Sequence, residues 1–187
     1  MILFFGPTGA GKSVQGQMVA VRQGWKWLST GEMLRASDDP DVIAVLTSGE
    51  LVSDELTYEV FDQAVTEARE RQYPNIIVDG FPRTREQAEW LAAHMERTGQ
   101  TIDLVIALEV PESEVMHRLE KRGRMEDTPE TIARRMAIYR QKMYPVLSIF
   151  AEDHVPIVHI DGNGSVGQIH DKIYNELASR NLVPKLD

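Results

Sequence analysis

Gly6-Pro7-Thr8-Gly9-Ala10-Gly11-Lys12-Ser13 has the spacing G-x-x-x-x-G-K-[ST], a loop that cradles phosphates. The glycines let successive backbone N–H groups curl around an anion, and a helix opening at the end of the loop adds partial positive charge. Lys12 is placed to reach terminal phosphates, and the Ser13 hydroxyl to meet Mg²⁺. The apolar run Ile2-Leu3-Phe4-Phe5 before the loop reads as a buried strand, and Ser13 to Arg22 after it as a helix. A dinucleotide-binding loop begun at Gly9 would need glycine at position 14, where Val14 stands. A protein-kinase glycine loop lies between two strands and lacks the Gly-Lys-Ser ending.

Other polar clusters sit at comparable places. The run Asn75-Ile76-Ile77-Val78 ends at Asp79, an acidic residue suited to helping hold Mg²⁺ and its waters beside such a loop. Gly80-Phe81-Pro82-Arg83-Thr84 follows at once, so Arg83 emerges where a planar guanidinium suits a phosphate. In Leu28-Ser29-Thr30-Gly31-Glu32-Met33-Leu34-Arg35, Ser29 or Thr30 can cap a helix and Arg35 lies one turn on. Arg118, Lys121, Arg122, Arg124, Arg134, Arg135 and Arg140 concentrate positive charge at one helix-turn-helix. Arg118 and Arg122, four apart, share a helix face. Two anionic ligands and many arginines are what phosphoryl transfer between nucleotides needs: in-line positioning, positive charge around the migrating group, and exclusion of water.

These residues need a frame. Short apolar strands are predicted near 2–5, 26–28, 75–79, 103–109 and 156–160, as expected of strands covered on both faces. Helices are predicted near 12–22, 54–72, 85–97, 112–122, 128–150 and 165–179. Asp127-Thr128-Pro129-Glu130 reads as a helix start with Asp127 as its cap. Five strands alternating with helices imply an α/β fold with a parallel sheet, right-handed crossovers and ligands at the carboxyl ends of the strands.

The chain has 187 residues, 42% of them hydrophobic and 26% charged, enough for one domain with a real core. A net charge of −9 argues against a general nucleic-acid or anionic-membrane binder. There is no cysteine, hence no disulfide and no cysteine zinc site. No apolar run approaches a membrane span, and the first residues read as a strand rather than a signal peptide. The need for ATP points to the cytoplasm. Trp25, Trp27 and Trp90 read as packing residues, and the five histidines show no ligand spacing.

Taken together, the phosphate loop, Ser29 to Arg35, Gly49-Glu50-Leu51-Val52, Asp79 to Thr84, and Asp127 through Arg135 resemble the adenylate kinases, in that family's order and over most of the chain. The resemblance implies a P-loop NTPase three-layer fold: a five-stranded parallel sheet, helices on both faces, a small monophosphate-binding flap at 30–52 and a minimal lid at 122–127, within one domain spanning 1–187. It implies the reaction ATP + AMP ⇌ 2 ADP with Mg²⁺, acting on nucleotides as a monomer. Gly9, Ala10, Gly11, Lys12, Ser13 and Val14, with Arg118, Arg122 and the loop near Gly164, would hold ATP. Thr30, Arg35, Gly80, Phe81, Pro82 and Arg83 would hold AMP, with backbone from Glu50, Leu51 and Val52 around its base. Gln87 matches the glutamine that reads the adenine of AMP. Arg124 and Arg135 would clamp the phosphates from the lid. Lys12, Arg83, Arg118, Arg122, Arg124 and Arg135 are thus the expected catalytic set, with Ser13 and Asp79 meeting Mg²⁺ largely through water.

Three features depart from that family's pattern. Ser13-Val14 stands where many relatives have Gly-Thr. The lid is reduced to Arg122-Gly123-Arg124 and a few residues more, without the cysteines that bind zinc in some long-lid relatives. The segment from Ala36 to Ser48 is short for a flap. A UMP/CMP-type kinase shares much of the pattern, but Thr84 with Gln87 favours AMP. A non-catalytic nucleotide-binding protein and a small-metabolite kinase are the other readings; the complete arginine set speaks against the first, and Thr30 to Arg35 with Gln87 against the second.

Overall fold

A computed structural model describes residues 1–124 and 127–185. Strand β1 (Ile2–Phe5) leads into helix α1 (Lys12–Gln23) and β2 (Lys26–Ser29). Two short helices, α2 (Thr30–Arg35) and α3 (Pro40–Ser48), precede α4 (Asp54–Glu70) and β3 (Ile76–Asp79). Then come α5 (Arg85–Thr98), β4 (Leu104–Glu109), α6 (Glu112–Arg122), α7 (Pro129–Glu152), β5 (Ile157–Asp161) and α8 (Val166–Ser179).

The five strands are parallel in the order β2-β3-β1-β4-β5. From β1 the chain crosses to the edge at β2, returns to β3 beside β1, and then builds outward through β4 and β5 on the other side, so a crevice opens at the carboxyl end of β1, where ligands bind in such sheets. Register fixes what meets there. Asp79 lies beside Phe4 on one side and Ser29 on the other, so the acidic residue and the start of α2 flank the loop that follows β1.

Alternation along the strands explains the two cores. Ile2, Phe4, Ile77, Leu104 and Ile106 face α1 and α8. Leu3, Phe5, Val78, Val105 and Ala107 face the helices of the opposite side, including Phe61 and Val65 of α4, Leu91 of α5 and Phe150 of α7. A third, smaller cluster joins Val115 and Leu119 of α6 to Ile132 and Met136 of α7. It packs the helix pair that carries the arginines against the underside of the phosphate loop: a Cβ on Gly9 would lie 2.9 Å from Leu119.

Helix starts follow local chemistry. Ser29, Ser53 and Thr84 accept from backbone N–H groups three residues on, and Ser165 with Gln168 forms a capping box. Helix α3 was not among the predicted elements, although Asp39 caps it, Pro40 opens it and Gly49 ends it at φ 80. The cap of α7 corrects the sequence reading. Thr128, not Asp127, accepts from the Thr131 N–H, because the Asp127 carboxylate is drawn away by Arg122.

Candidate active site

The loop after β1 forms one wall of a cavity of about 650 Å³, a size typical of ligand sites. Gly11, at φ 96, takes the left-handed conformation at the N-cap of α1. First-turn N–H groups of a helix have no intrahelical acceptor, which leaves those of Lys12, Ser13 and Val14 for an anion. Gly9, Ala10, Gly11, Lys12, Ser13 and Val14 all line the cavity.

Lys12 curls back, donating from Nζ to Gly6 O at 2.9 Å and Pro7 O at 3.0 Å, with Asp79 Oδ1 3.8 Å away. Burial pushes its ammonium below the ordinary lysine value, and Asp79 pulls it back up. Ser13 donates its hydroxyl to Asp79 Oδ2 at 2.9 Å. Asp79 Oδ1 is buried with no hydrogen-bond partner. One hydroxyl beside one carboxylate with an open oxygen fits Mg²⁺, which keeps several waters and takes few protein ligands when phosphates supply the rest. No cluster of three or more His, Cys, Asp or Glu suited to a metal occurs among the described residues.

Across the cavity, α2 and the turn after β3 bring Arg35 and Arg83 together. Nitrogens of both guanidiniums lie 3.4–3.6 Å from where a Gly31 Cβ would be. Gly80, at φ 83, leaves room: a Cβ there would meet Arg83 Nη2 and Thr30 Oγ1, each at 2.9 Å. Arg83 donates from Nε to Gly80 O at 2.6 Å. The side chain is walled by protein yet faces the solvent of the cleft. Its surroundings lower its pKa from the ordinary arginine value through burial, with Asp79 opposing and Arg135 adding to the shift.

Arg118 and Arg122 reach in from α6. Arg118 spans Ala10 O at 3.2 Å, Gly162 O at 2.9 Å and Glu114 Oε1 at 2.7 Å, so it joins the phosphate loop to the turn after β5. Arg122 makes a two-pronged pair with Asp127, Nε to Oδ2 at 2.8 Å and Nη2 to Oδ1 at 2.5 Å. Burial alone would raise the Asp127 carboxyl, but the hydrogen bonds and charge of Arg122 outweigh it and hold the group below the usual carboxylate value. Arg135 lies 3.7 Å from the same carboxylate and donates to Leu46 O at 3.0 Å. Arg124 lines the cavity with them. Tyr139 also lines it, and burial pushes its phenol up to about 12, so it stays protonated.

The cavity therefore gathers most of the expected site: also Glu50, Leu51, Pro82 and Gly164. Four expected residues do not line it. Thr30 is buried, with its hydroxyl donating to Asp79 O at 3.4 Å. Val52 sits outside the wall that Glu50 and Leu51 form. The Phe81 side chain turns into the core, its ring 4.6 Å from that of Phe61. Gln87 is buried behind Arg83, accepting from the Arg83 N–H at 2.7 Å and donating to Asp54 Oδ1 at 2.7 Å. The expected lid, 122–127, is described except for 125 and 126, which lie outside the described residues.

Gln15 and Asp54 escaped the sequence reading, and Arg134, counted there only as part of the arginine cluster, has a specific place. Gln15, 2% exposed, lines the cavity and donates to Val166 O at 2.9 Å, pinning the turn near Gly164 to α1. Asp54 holds Gln87. Arg134 bonds Ser48 O at 3.2 Å and Glu50 Oε1 at 3.1 Å, bridging α7 to the end of α3.

Comparison with known proteins matches this geometry. The adenylate kinase family profile matches residues 4–155. An adenylate kinase of Thermus thermophilus is 35% identical over 182 residues, 92% of this chain and 94% of its own length. One from Hyphomonas neptunium is 35% identical over 182 residues, 92% of this chain and 95% of its own. One from Phenylobacterium zucineum is 36% identical over 178 residues, 90% and 92%. With the phosphate loop, the acidic strand end and the arginines of the cavity all within the matched span, the chain belongs to the adenylate kinase family.

Proposed function

We propose that the protein transfers the γ-phosphoryl group of ATP reversibly to AMP, giving two ADP, in the cavity between the phosphate loop and the Arg35–Arg83 pair. The observation that supports this reading is a single cavity lined by the phosphate loop, by Arg35 and Arg83, and by Arg118, Arg122, Arg124 and Arg135. An oxygen of the AMP phosphate attacks Pγ, the bond from Pγ to the bridging oxygen breaks, and ADP leaves with that oxygen. A phosphate monoester has its second ionisation near pH 6, so the nucleophile needs no base, and among the described residues no histidine lines the cavity.

The residues divide the work. The N–H groups of the loop and Lys12 hold the donor phosphates, and Arg118 and Arg122 flank the migrating group, acting through fixed charge rather than proton transfer. Arg35 and Arg83 hold the acceptor phosphate. Residues 30–52 act as a monophosphate-binding flap and 122–127 as a minimal lid, whose closure keeps water from Pγ. Ser13 and the open oxygen of Asp79 would hold Mg²⁺ through its waters. The ion, when bound, neutralises charge on the β- and γ-phosphates.

No helix among the described residues is long and apolar enough to cross a membrane. The nucleotide substrates suit the cytoplasm, and a cavity walled by a single chain suits a monomer that needs no nucleic-acid partner. Incubation with Mg²⁺ and ADP alone tests the activity. Equal formation of AMP and ATP is expected; AMP without ATP would mean hydrolysis and would overturn the reading.

A further inference from the structure

We propose that Gln15 is a positioning residue for the phosphoryl donor: its side-chain amide fastens the turn after β5 to α1 and so presets the wall against which ATP lies. The proposal rests on the proposed placement of ATP against the loop near Gly164. Gln15 stands in the first turn of α1, directly behind the phosphate loop. Its backbone N–H makes the ordinary helical bond to Gly11 O at 3.0 Å, so only the side chain has a special task. It is 2% exposed and lines the cavity together with Gly164, Ser165, Val166 and Ile169. Its Nε2 donates to Val166 O at 2.9 Å, across 151 positions of sequence.

The other half of the amide shows that packing is not what this residue is for. Oε1 is buried with no hydrogen-bond partner among the described residues. A buried acceptor without a donor subtracts from stability, whereas an apolar side chain of similar shape fills the same space without that penalty. Stability alone therefore favours Met or Leu here. What the amide adds is the bond to Val166. The amide has one orientation, because turning it over would set Oε1 against the Val166 carbonyl, acceptor against acceptor.

The segment it holds needs a tie. Asn163, Gly164, Ser165 and Val166 are all exposed. Arg118 secures one end, donating to Gly162 O and to Ala10 O of the phosphate loop; Gln15 secures the other. A turn left free would have to be ordered each time a nucleotide binds, and that lost freedom weakens binding. With both ends tied, α1 holds the donor phosphates at its N-terminus and fixes the turn from its first turn, so one helix sets the spacing between them.

Steady-state rates and thermal unfolding of the full chain test this in the wild type, Gln15→Met, Gln15→Leu and Gly164→Val, the last of which distorts the turn directly. Neither Gln15 variant can donate to Val166 O. With ATP varied at saturating AMP, both are expected to raise the KM for ATP by roughly three- to tenfold, the scale of one neutral hydrogen bond. The KM for AMP and kcat should stay unchanged. Tm should be equal to that of the wild type or higher, since the unpaired oxygen is gone and Val166, being exposed, leaves its carbonyl to water. A raised KM for both nucleotides with a lower Tm, or failure of both Gln15 variants to fold, overturns the proposal, because a merely structural residue behaves that way. An unchanged KM for ATP in both Gln15 variants with a raised one in Gly164→Val overturns the role of Gln15 and leaves the turn beside the donor. An unchanged KM for ATP in all three overturns both.

Discussion

The two walls of the cavity are built in opposite ways. The phosphate loop is one contiguous stretch whose backbone does the binding, and the strand before it and helix after it hold it in shape. The arginine wall is assembled from the turn after β3, from α2, α6 and α7, which are far apart in the chain. On the arginine wall, cations rest on protein oxygens: Arg83 on Gly80 O, Arg122 on Asp127, Arg135 on Leu46 O. Lys12 rests likewise, but on carbonyls of its own loop, Gly6 O and Pro7 O. A site made of backbone is preformed by local geometry; a site made of long charged side chains needs internal acceptors that phosphate oxygens can replace.

The sharpest break of this comparison removes one charge from each wall. Lys12→Ala and Arg83→Ala are each expected to lower kcat by ~10²–10³, the usual loss for one stabiliser of developing charge. Steady-state rates check this, and near-normal turnover in Arg83→Ala would remove that residue from the site.

The next test strikes the support of the loop rather than its charge. Gly16 of α1 lies so close to Trp27 of β2 that a Cβ would fall 2.0 Å from the indole. A helical Gly→Ala change ordinarily stabilises by roughly 0.5–1 kcal/mol. Here Gly16→Ala is expected to destabilise by about 1–3 kcal/mol through overpacking, and Gly16→Ala with Trp27→Leu to recover much of the loss. Urea unfolding of the wild type and these two variants measures it.

On the arginine wall, Asp127→Asn probes the resting partner of Arg122 and Arg135. The Asp127 carboxyl is depressed in the folded protein, so the stability it contributes is complete above its unfolded value of about 3.9 and lost as pH falls through the lower folded value. Asp127→Asn is expected to lower Tm by about 2–4 °C at pH 7, and the gap to the wild type should close in strong acid. A gap independent of pH would show that the charge of Asp127 is not what matters.

The smallest effect belongs to Arg134. Its pair with Glu50 is half exposed, 51% and 61%, and such pairs contribute about 0–1 kcal/mol. Arg134→Ala should change kcat/KM for AMP less than about fivefold, the equivalent of 1 kcal/mol. A larger loss would make the bridge from α7 to α3 part of acceptor binding.

Strands and long helices were legible because their signals are local. Apolar runs bounded by Gly, Asp or Pro mark the five strands, and helix starts carry Ser, Thr or Pro. The exceptions are instructive. Asp127-Thr128-Pro129 offers two caps, and Arg122, five residues earlier, decides between them by claiming the carboxylate. Phe81 stands inside a binding-type motif, yet Phe61, Tyr58 and Trp90 draw its ring into the core. Gln15 and Asp54 gave no signal of their own, since a glutamine in a helix and an aspartate in a first turn each have a default place in solvent.

By itself the sequence determined the phosphate loop, the parallel α/β frame and the inventory of arginines, because spacing along a chain dictates backbone shape and charge content directly. Only the tertiary structure decided which of those charges converge, which oxygens hold them, and which way the amide of Gln87 is turned. Those outcomes depend on contacts between residues such as Gln87 and Asp54, or Gln15 and Val166, that lie 33 and 151 positions apart. No local pattern records such distances; the packing of helices on both faces of the sheet sets them.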